Sequence, residues 1–373
     1  MRRPVLLVST VHPAHDPRIF YKIAPSLAKE FEVFCALPNA SARHDDDQVC
    51  MIALPAFQNL FLRLLFSHSV LLWKCLRLRP DLIHIFVPEL IPAAFLFKWL
   101  GALVIYEVQE NLYKKFSIKT SNNAKAYQAL FRYFDHCARK HFYCIFTEDA
   151  YLEEYRHLTL PAAVVHNFAS LSMIDTYAED GNSDNAFPEL IYSGVISLER
   201  SFDTLVSALA KLKKTYPDFR MHLFGFVRIS SEEIENIAGY QNIAKNLIFY
   251  GYTDQKTVLK FAKQSIAGIA LLKPVADYPD SYTTKLFDYM ALGLPVITSD
   301  FPLYQRVVEQ SECGFCISPY DADLLFEKMK WLIVNPAERI RMGKNGRNAV
   351  EKSYNWAQEE SILLAFYRNL LHN

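Results

Sequence analysis

The chain has 373 residues, 51% of them apolar and 21% charged, which is too long for one ordinary core and normal for a soluble globular protein of two domains. Forty basic residues balance forty acidic ones, which excludes the global positive charge of a nucleic-acid binder. The seven cysteines (Cys35, Cys50, Cys75, Cys137, Cys144, Cys313, Cys316) are odd in number and scattered among apolar residues, so they read as reduced thiols.

The chain opens on Met1-Arg2-Arg3, but the apolar run behind it, Val5 to Val8, is shorter than the roughly seven residues a signal peptide needs. It reads as a first strand, Val5–Ser9. Further short apolar runs predict strands at Glu32–Ala36, Leu82–Phe86, Leu103–Val108, Cys144–Thr147 and Ala163–His166. Helical patterns fall between them at about Tyr21–Glu30, Leu60–Arg77, Leu90–Leu100, Asn123–His141 and Ala150–Leu158. Strand–helix alternation with continuously apolar strands predicts a parallel sheet covered on both faces. The window from Leu90 to Val108 is broken by Lys98 and Gly101, which reads as a buried helix and strand rather than a membrane span.

The polar stretch 179–186 predicts a linker. The alternation then restarts, with strands at Leu190–Ser193, Met221–Phe224, Leu247–Tyr250, Ile266–Leu271 and Pro295–Thr298. Helices are expected at Phe202–Thr215, Glu232–Tyr240, Lys256–Ala262 and Lys285–Leu292. Cys313-Gly-Phe-Cys316 lacks the second pair that a zinc tetrahedron requires and reads as a strand edge. Near the C-terminus, Ile362, Leu363, Phe366, Leu370 and Leu371 form a helical apolar stripe that must dock elsewhere. The reading is α/β, with two Rossmann-like, doubly wound domains facing a central crevice. Domain one spans 1–178, domain two 187–353, and residues 354–373 form a helix crossing back to the first.

The segment from Asp280 to Asp300 carries the most chemistry. A polar turn enters a short helix holding Lys285 and Asp288, Gly293 caps it, and a buried strand follows. Unpaired amides at a helix start, with a lysine beside them, suit a phosphate. Asp288, three residues on, can accept hydrogen bonds from vicinal ribose hydroxyls. The pattern predicts a nucleotide-sugar site.

The order of Gly194…Arg200, Gly225, Gly251 and then K-L-F-D-Y-M-A-L-G-L-P-V-I-T-S-D resembles the second lobe of a GT-B glycosyltransferase, specifically the large retaining family 4. His12-Pro-Ala-His15-Asp16-Pro17-Arg18-Ile19 and Tyr106-Glu-Val-Gln109-Glu110-Asn111 resemble crevice-facing segments of the first lobe. The resemblance implies donor binding in the second lobe and acceptor binding in the first. It makes Asp288 the ribose carboxylate and places Asp280 beside the donor sugar, where the alternative for Asp280 is a helix N-cap. Arg200 takes the place of the family's phosphate-binding lysine, while Val195 stands where an arginine is usual. Gly194, Thr284 and Leu286 then line the donor, and Arg18 is expected to supply charge where many relatives have a glycine pair. Gln109 stands where relatives carry a histidine, and it can bond a sugar hydroxyl without shuttling a proton. His15 and Glu89 are expected on the acceptor side. Glu110 is either an acceptor-binding carboxylate or a helix-start charge. His84 and His166 read as structural.

The implied activity is a retaining hexosyl or N-acetylhexosaminyl transfer from a nucleoside-diphosphate sugar to a glycan or lipid-linked acceptor in polysaccharide or glycoconjugate biosynthesis. No cofactor and no metal are expected. The alternative is a catalytically silent relative acting as a nucleotide-sugar-binding or partner subunit. The setting expected is cytoplasmic, with peripheral contact at the inner face of a membrane through residues 57–79, against the simpler reading of that segment as a sheet-covering helix.

Overall fold

A computed structural model describes residues 2–41, 49–116, 125–155, 157–177 and 187–372. The linker expected at 179–186 lies outside these. The chain divides into two compact units, Met1–Asn167 with Trp356–Asn373, and Phe168–Asn355.

The first unit is built on seven parallel strands: β1 (Pro4–Val8), β2 (Glu32–Pro38), β3 (Val49–Leu54), β4 (Leu82–Ile85), β5 (Leu103–Val108), β6 (Tyr143–Phe146) and β7 (Ala162–Val164). Their order is β3-β2-β1-β4-β5-β6-β7, so the sheet winds outward in both directions from β1. All four residues of β4, His84 included, are buried because helices cover both faces, which is why the strands read as mostly apolar runs. One face packs the helical segment 19–28 and the C-terminal helix, with Ile19, Ile23, Leu27, Trp356, Leu363 and Tyr367 in its core. The other face packs helices 68–75, 91–99 and 125–141 through Leu71, Ile91, Phe97 and Ala138. The C-terminal helix Trp356–His372 turns Trp356, Leu363, Leu364, Phe366, Tyr367 and Leu371 inward; Ile362, expected in the stripe, is 44% exposed.

The second unit carries six parallel strands: β8 (Glu189–Ser193), β9 (Arg220–Phe224), β10 (Leu247–Gly251), β11 (Ala267–Ala270), β12 (Val296–Ser299) and β13 (Gly314–Ile317), ordered β10-β9-β8-β11-β12-β13. Its core runs through Leu190, Leu205, Leu209, Leu223, Ile269 and Ile297. The helix expected over Glu232–Tyr240 is two short ones, Ser231–Glu235 and Tyr240–Ile243, because Gly239 turns left-handed at φ 92° between them. Among the described residues no helix is long and apolar enough to cross a membrane. All seven cysteines are free thiols, with Cys316 on β13 and Cys313 just before it.

Candidate functional site

In the second unit, β8 and β9 deliver glycines to the carboxyl edge of the sheet. Gly194 (φ 123°) and Gly225 (φ 133°) lie so close that a Cβ on Gly225 would fall 2.0 Å from the Gly194 carbonyl oxygen. A Cβ on Gly194 would in turn stand 3.1 Å from Arg200 Nη1 and 3.3 Å from Lys285 Nζ. The two cations therefore meet above the one residue without a side chain. Arg200 closes a 3₁₀ turn, Leu198–Arg200, that follows the strand tip.

Lys285 arrives on helix Thr284–Ala291. Thr283 is its N-cap, with extended backbone and no side-chain cap bond, so the helix start is not closed by a side chain. The helix ends at Gly293, whose φ of 72° lets the Leu294 N–H turn back to the Tyr289 carbonyl at 2.9 Å. Its inner face holds Lys285 and Tyr289, one turn apart. A Cβ on Gly268 of β11 would fall 2.2 Å from the Tyr289 ring, so a glycine there lets the helix press onto the sheet. The Tyr289 hydroxyl accepts the Ser193 N–H at 2.8 Å, fixing the β8 tip to the helix.

Lys285 is only 4% exposed, its Nζ has no hydrogen-bond partner, and it sits 3.6 Å from the centroid of the Tyr192 ring. Burial, together with Arg200, pulls its pKa well below the ordinary lysine value. Arg200 lies 5.8 Å from the Tyr278 ring. Burial pushes the Tyr192 phenol up to about 12, with Arg200 opposing, so the ring is a neutral wall. Two neighbouring cations, one of them buried without a hydrogen-bond partner, are a charge arrangement that an anion could balance. Asp288 lies one turn beyond Lys285, and Gln255 Nε2 donates to its Oδ2 at 3.4 Å. The Gln255 Oε1 is buried without a hydrogen-bond partner. The sequence reading missed Gln255, Tyr192, Tyr278 and Tyr289; only Tyr192, two residues before the strand-tip glycine, had a positional signal.

Thr284 is exposed at the first helical position. Leu286 has its side chain fully buried, and its N–H turns to the Thr283 carbonyl at 3.1 Å. Asp280 ends the 3₁₀ turn Tyr278–Asp280, half-buried, and is not the N-cap of the following helix.

The first unit departs further from expectation. Arg18 is buried, and its guanidinium is spent on Glu107 (2.8 and 3.3 Å) and on the carbonyls of Val165 (2.8 Å) and His166 (3.2 Å). These bonds take four of its five guanidinium N–H groups and make it a structural clamp within the first unit. Burial would raise the Glu107 carboxyl, but Arg18 and His84 outweigh it and hold the group below the usual carboxylate range. Gln109 joins this network, donating to Glu107 at 2.6 Å, so its amide is turned inward. His84, buried and shifted down by burial, bonds the Tyr367 hydroxyl at 2.6 Å and ties β4 to the C-terminal helix. Glu89, expected on the acceptor side, is held by Thr10 and by Arg63, whose Nε and Nη2 each donate at 2.8 Å. Glu110 lies 3.3 Å from Lys115, just before the N-cap Asn111, in keeping with a helix-start charge. His15 is exposed, with its ring edge-on to Phe20 at 5.0 Å. Among the described residues no group of three or more His, Cys, Asp or Glu could hold a metal ion.

Residues 173–349, nearly all of the second unit, match the family described as Glycosyl transferases group 1. The chain spans about half the length of the curated relatives it matches. The phosphatidyl-myo-inositol mannosyltransferase of Mycobacterium leprae (strain TN) is 24% identical over 171 residues, 46% of this chain and 43% of that protein. The whole chain superposes on a sucrose-phosphate synthase from Thermosynechococcus elongatus with a TM-score of 0.77 at 17% identity, covering 100% of both. It superposes on Anabaena Alr3699/HepE in complex with UDP-glucose with a TM-score of 0.72 at 12% identity, covering 99% of this chain and 100% of that one. The architecture is the GT-B fold.

Proposed function

We propose that this chain, which carries a group 1 glycosyltransferase domain on a GT-B fold, moves a hexosyl group from a nucleoside-diphosphate sugar to a glycan or lipid-linked acceptor with retention at the anomeric carbon. The observation that carries the reading is the convergence of Arg200 and Lys285 over Gly194, with Lys285 Nζ buried and lacking a hydrogen-bond partner. A diphosphate supplies the missing counter-charge. As the bond between the anomeric carbon and the diphosphate oxygen breaks, negative charge grows on the leaving group, where the two cations and the start of helix Thr284–Ala291 stabilise it. The acceptor oxygen bonds to the anomeric carbon on the same face, and its proton passes to the departing diphosphate, so no protein base is required. Asp288, oriented by Gln255, accepts the ribose hydroxyls. Asp280 and the exposed Thr284 are assigned to the donor sugar and its phosphates. On the acceptor side His15 keeps an exposed side chain and Glu110 a partly exposed one, while Gln109 acts by holding Glu107. One superposed structure, HepE, is a complex with UDP-glucose, which makes a uridine donor the first to try.

The test is to incubate the protein with a panel of nucleotide sugars and acceptors and follow nucleoside diphosphate release. Activity with at least one donor is expected, falling by roughly a hundredfold or more in Arg200→Ala, as for loss of one charge-stabilising donor. Unchanged turnover in Arg200→Ala and Asp288→Ala would refute the site; nucleotide binding without turnover on a verified acceptor would refute the activity.

A further inference from the structure

The helical segment from Leu60 to Leu78 buries Leu71 and Cys75 but leaves several large apolar residues in solvent. It runs as helix 60–62, a π-helical stretch 63–67, helix 68–75 and a 3₁₀ turn 76–78. Phe61 (69% exposed), Leu64, Leu65, Phe66 and Trp73 (64% exposed) all face solvent, while only Ser67, His68, Leu71 and Cys75 are buried. Every fourth position, Phe61, Leu65, Ser69, Trp73 and Arg77, is exposed, forming one stripe along the helix. A helix whose only task was to cover the sheet would place its polar residues there.

The charge on this segment has one sign. Residues 57–79 contain no Asp or Glu, and carry Arg63, Lys74, Arg77 and Arg79. Glu89 neutralises Arg63, but Arg77 and Arg79 are exposed, and the Arg77 guanidinium lies 5.9 Å from the Trp73 ring. The surface is also held firmly. The Asn59 side chain caps the Phe61 N–H at 2.8 Å, and Arg63 bonds the Gln58 carbonyl at 2.7 Å as well as Glu89. Those bonds set the apolar first turn beside Glu89, just beyond the carboxyl end of β4, and Thr10, just beyond that of β1.

We propose that this stripe is a docking surface for an anionic lipid bilayer, with Phe61, Leu64, Leu65, Phe66 and Trp73 entering the headgroup layer and Arg77 and Arg79 meeting lipid phosphates. An apolar ridge with an unbalanced cationic end, on a helix too short to span, fits a bilayer interface. A second copy of this chain is a poorer occupant, because a two-fold contact would bring the same segment, which has no Asp or Glu between 57 and 79 to pair with Arg77 and Arg79. The inference goes beyond the transfer reading and does not depend on it.

Flotation with vesicles tests it, using phosphatidylcholine alone and phosphatidylcholine with phosphatidylglycerol, at low and high salt. The wild-type chain is expected to bind the anionic vesicles, more weakly at high salt. The triple variant Phe61→Ser, Leu65→Ser, Trp73→Ser is expected to lose at least tenfold in binding. The double variant Arg77→Gln, Arg79→Gln is expected to lose about fivefold per cation, together with most of the salt dependence. All five sites are exposed, so melting points stay near wild type, and nucleoside diphosphate binding is unaffected in both variants. The proposal is overturned if wild type floats with neither vesicle or if the variants bind within twofold of wild type. It is equally overturned if ultracentrifugation shows a dimer that the triple variant disperses, which assigns the stripe to a second copy.

Discussion

Lys285→Met isolates the cost of holding an anion pocket ready. The exchange keeps an unbranched chain out to Cε, with sulfur in place of Cδ, and removes the ammonium. Lys285 Nζ and Arg200 Nη1 approach one point above Gly194 at 3.3 and 3.1 Å. The nitrogens are thus no more than roughly 6 Å apart, where two unit charges at an effective dielectric of about 20 repel by about 3 kcal/mol. Shedding the proton does not escape the cost, since deprotonating a lysine at neutral pH is itself unfavourable. The Tyr192 ring returns about 1–2 kcal/mol to the ammonium. The variant is therefore expected to be more stable than wild type by about 1–2 kcal/mol, a rise of about 2–8 °C in melting midpoint for a unit of this size. With a nucleoside diphosphate at a hundred times its dissociation constant, wild type gains about 2.7 kcal/mol and the variant should gain little. Differential scanning calorimetry with and without ligand reads both. A variant that melts below wild type, or one that keeps the full ligand shift, refutes the reasoning.

Gly194→Ala places a methyl 3.1 Å from Arg200 Nη1 and forces an L-residue to φ 123°. Equilibrium titration should show nucleoside diphosphate affinity down at least tenfold, and denaturant melts a loss of about 1–3 kcal/mol; wild-type affinity would contradict the cradle. Asp288→Asn should erase the preference for a ribonucleoside diphosphate over its 2′-deoxy form, a difference of about tenfold to a hundredfold in wild type. An unchanged ratio would free Asp288 of the ribose role. In the first unit, the His166 N–H donates to Glu359 at 2.7 Å, and its ring lies 3.4 Å from Glu359 and 3.2 Å from Asp149. Burial opposes protonation, but these carboxylates prevail and raise the His166 pKa. A raised folded value gives stability that is complete below about 6.5 and lost as pH climbs through the folded value. His166→Gln should therefore cost more in denaturant melts at pH 5.5 than at pH 9, and an equal cost at both would remove the ion pair from the account.

Most strands were legible because a sheet buried on both faces leaves a near-continuous apolar run, as in Val5–Val8 and, but for Glu107, in Leu103–Val108. The edge strand β3 was not read as a strand, and β13 was read only as a strand edge at Cys313–Cys316. Val49–Leu54 alternates buried and half-buried residues at the sheet's margin, and Gly314–Ile317 is only four residues long. In the site, Lys285 was legible from charge at a helix start. Its burial was not, because that depends on Tyr192 and Arg200, which lie far away in the chain. Arg18 misled for the same reason. An arginine in a strand-end loop resembles a phosphate ligand until Glu107, 89 residues on, takes its guanidinium. Gln255 gave no local signal, since only the fold brings it to Asp288.

The central claim is that Arg200 and Lys285 wait for a diphosphate, and proton counting tests it most directly. Burial and Arg200 depress the Lys285 pKa in the free protein, and a bound dianion would restore it. Titrating a nucleoside diphosphate at pH 8.5 in two buffers of different ionisation enthalpy should reveal net proton uptake that disappears in Lys285→Met. Binding with no uptake, and with the same affinity in Lys285→Met as in wild type, would contradict it.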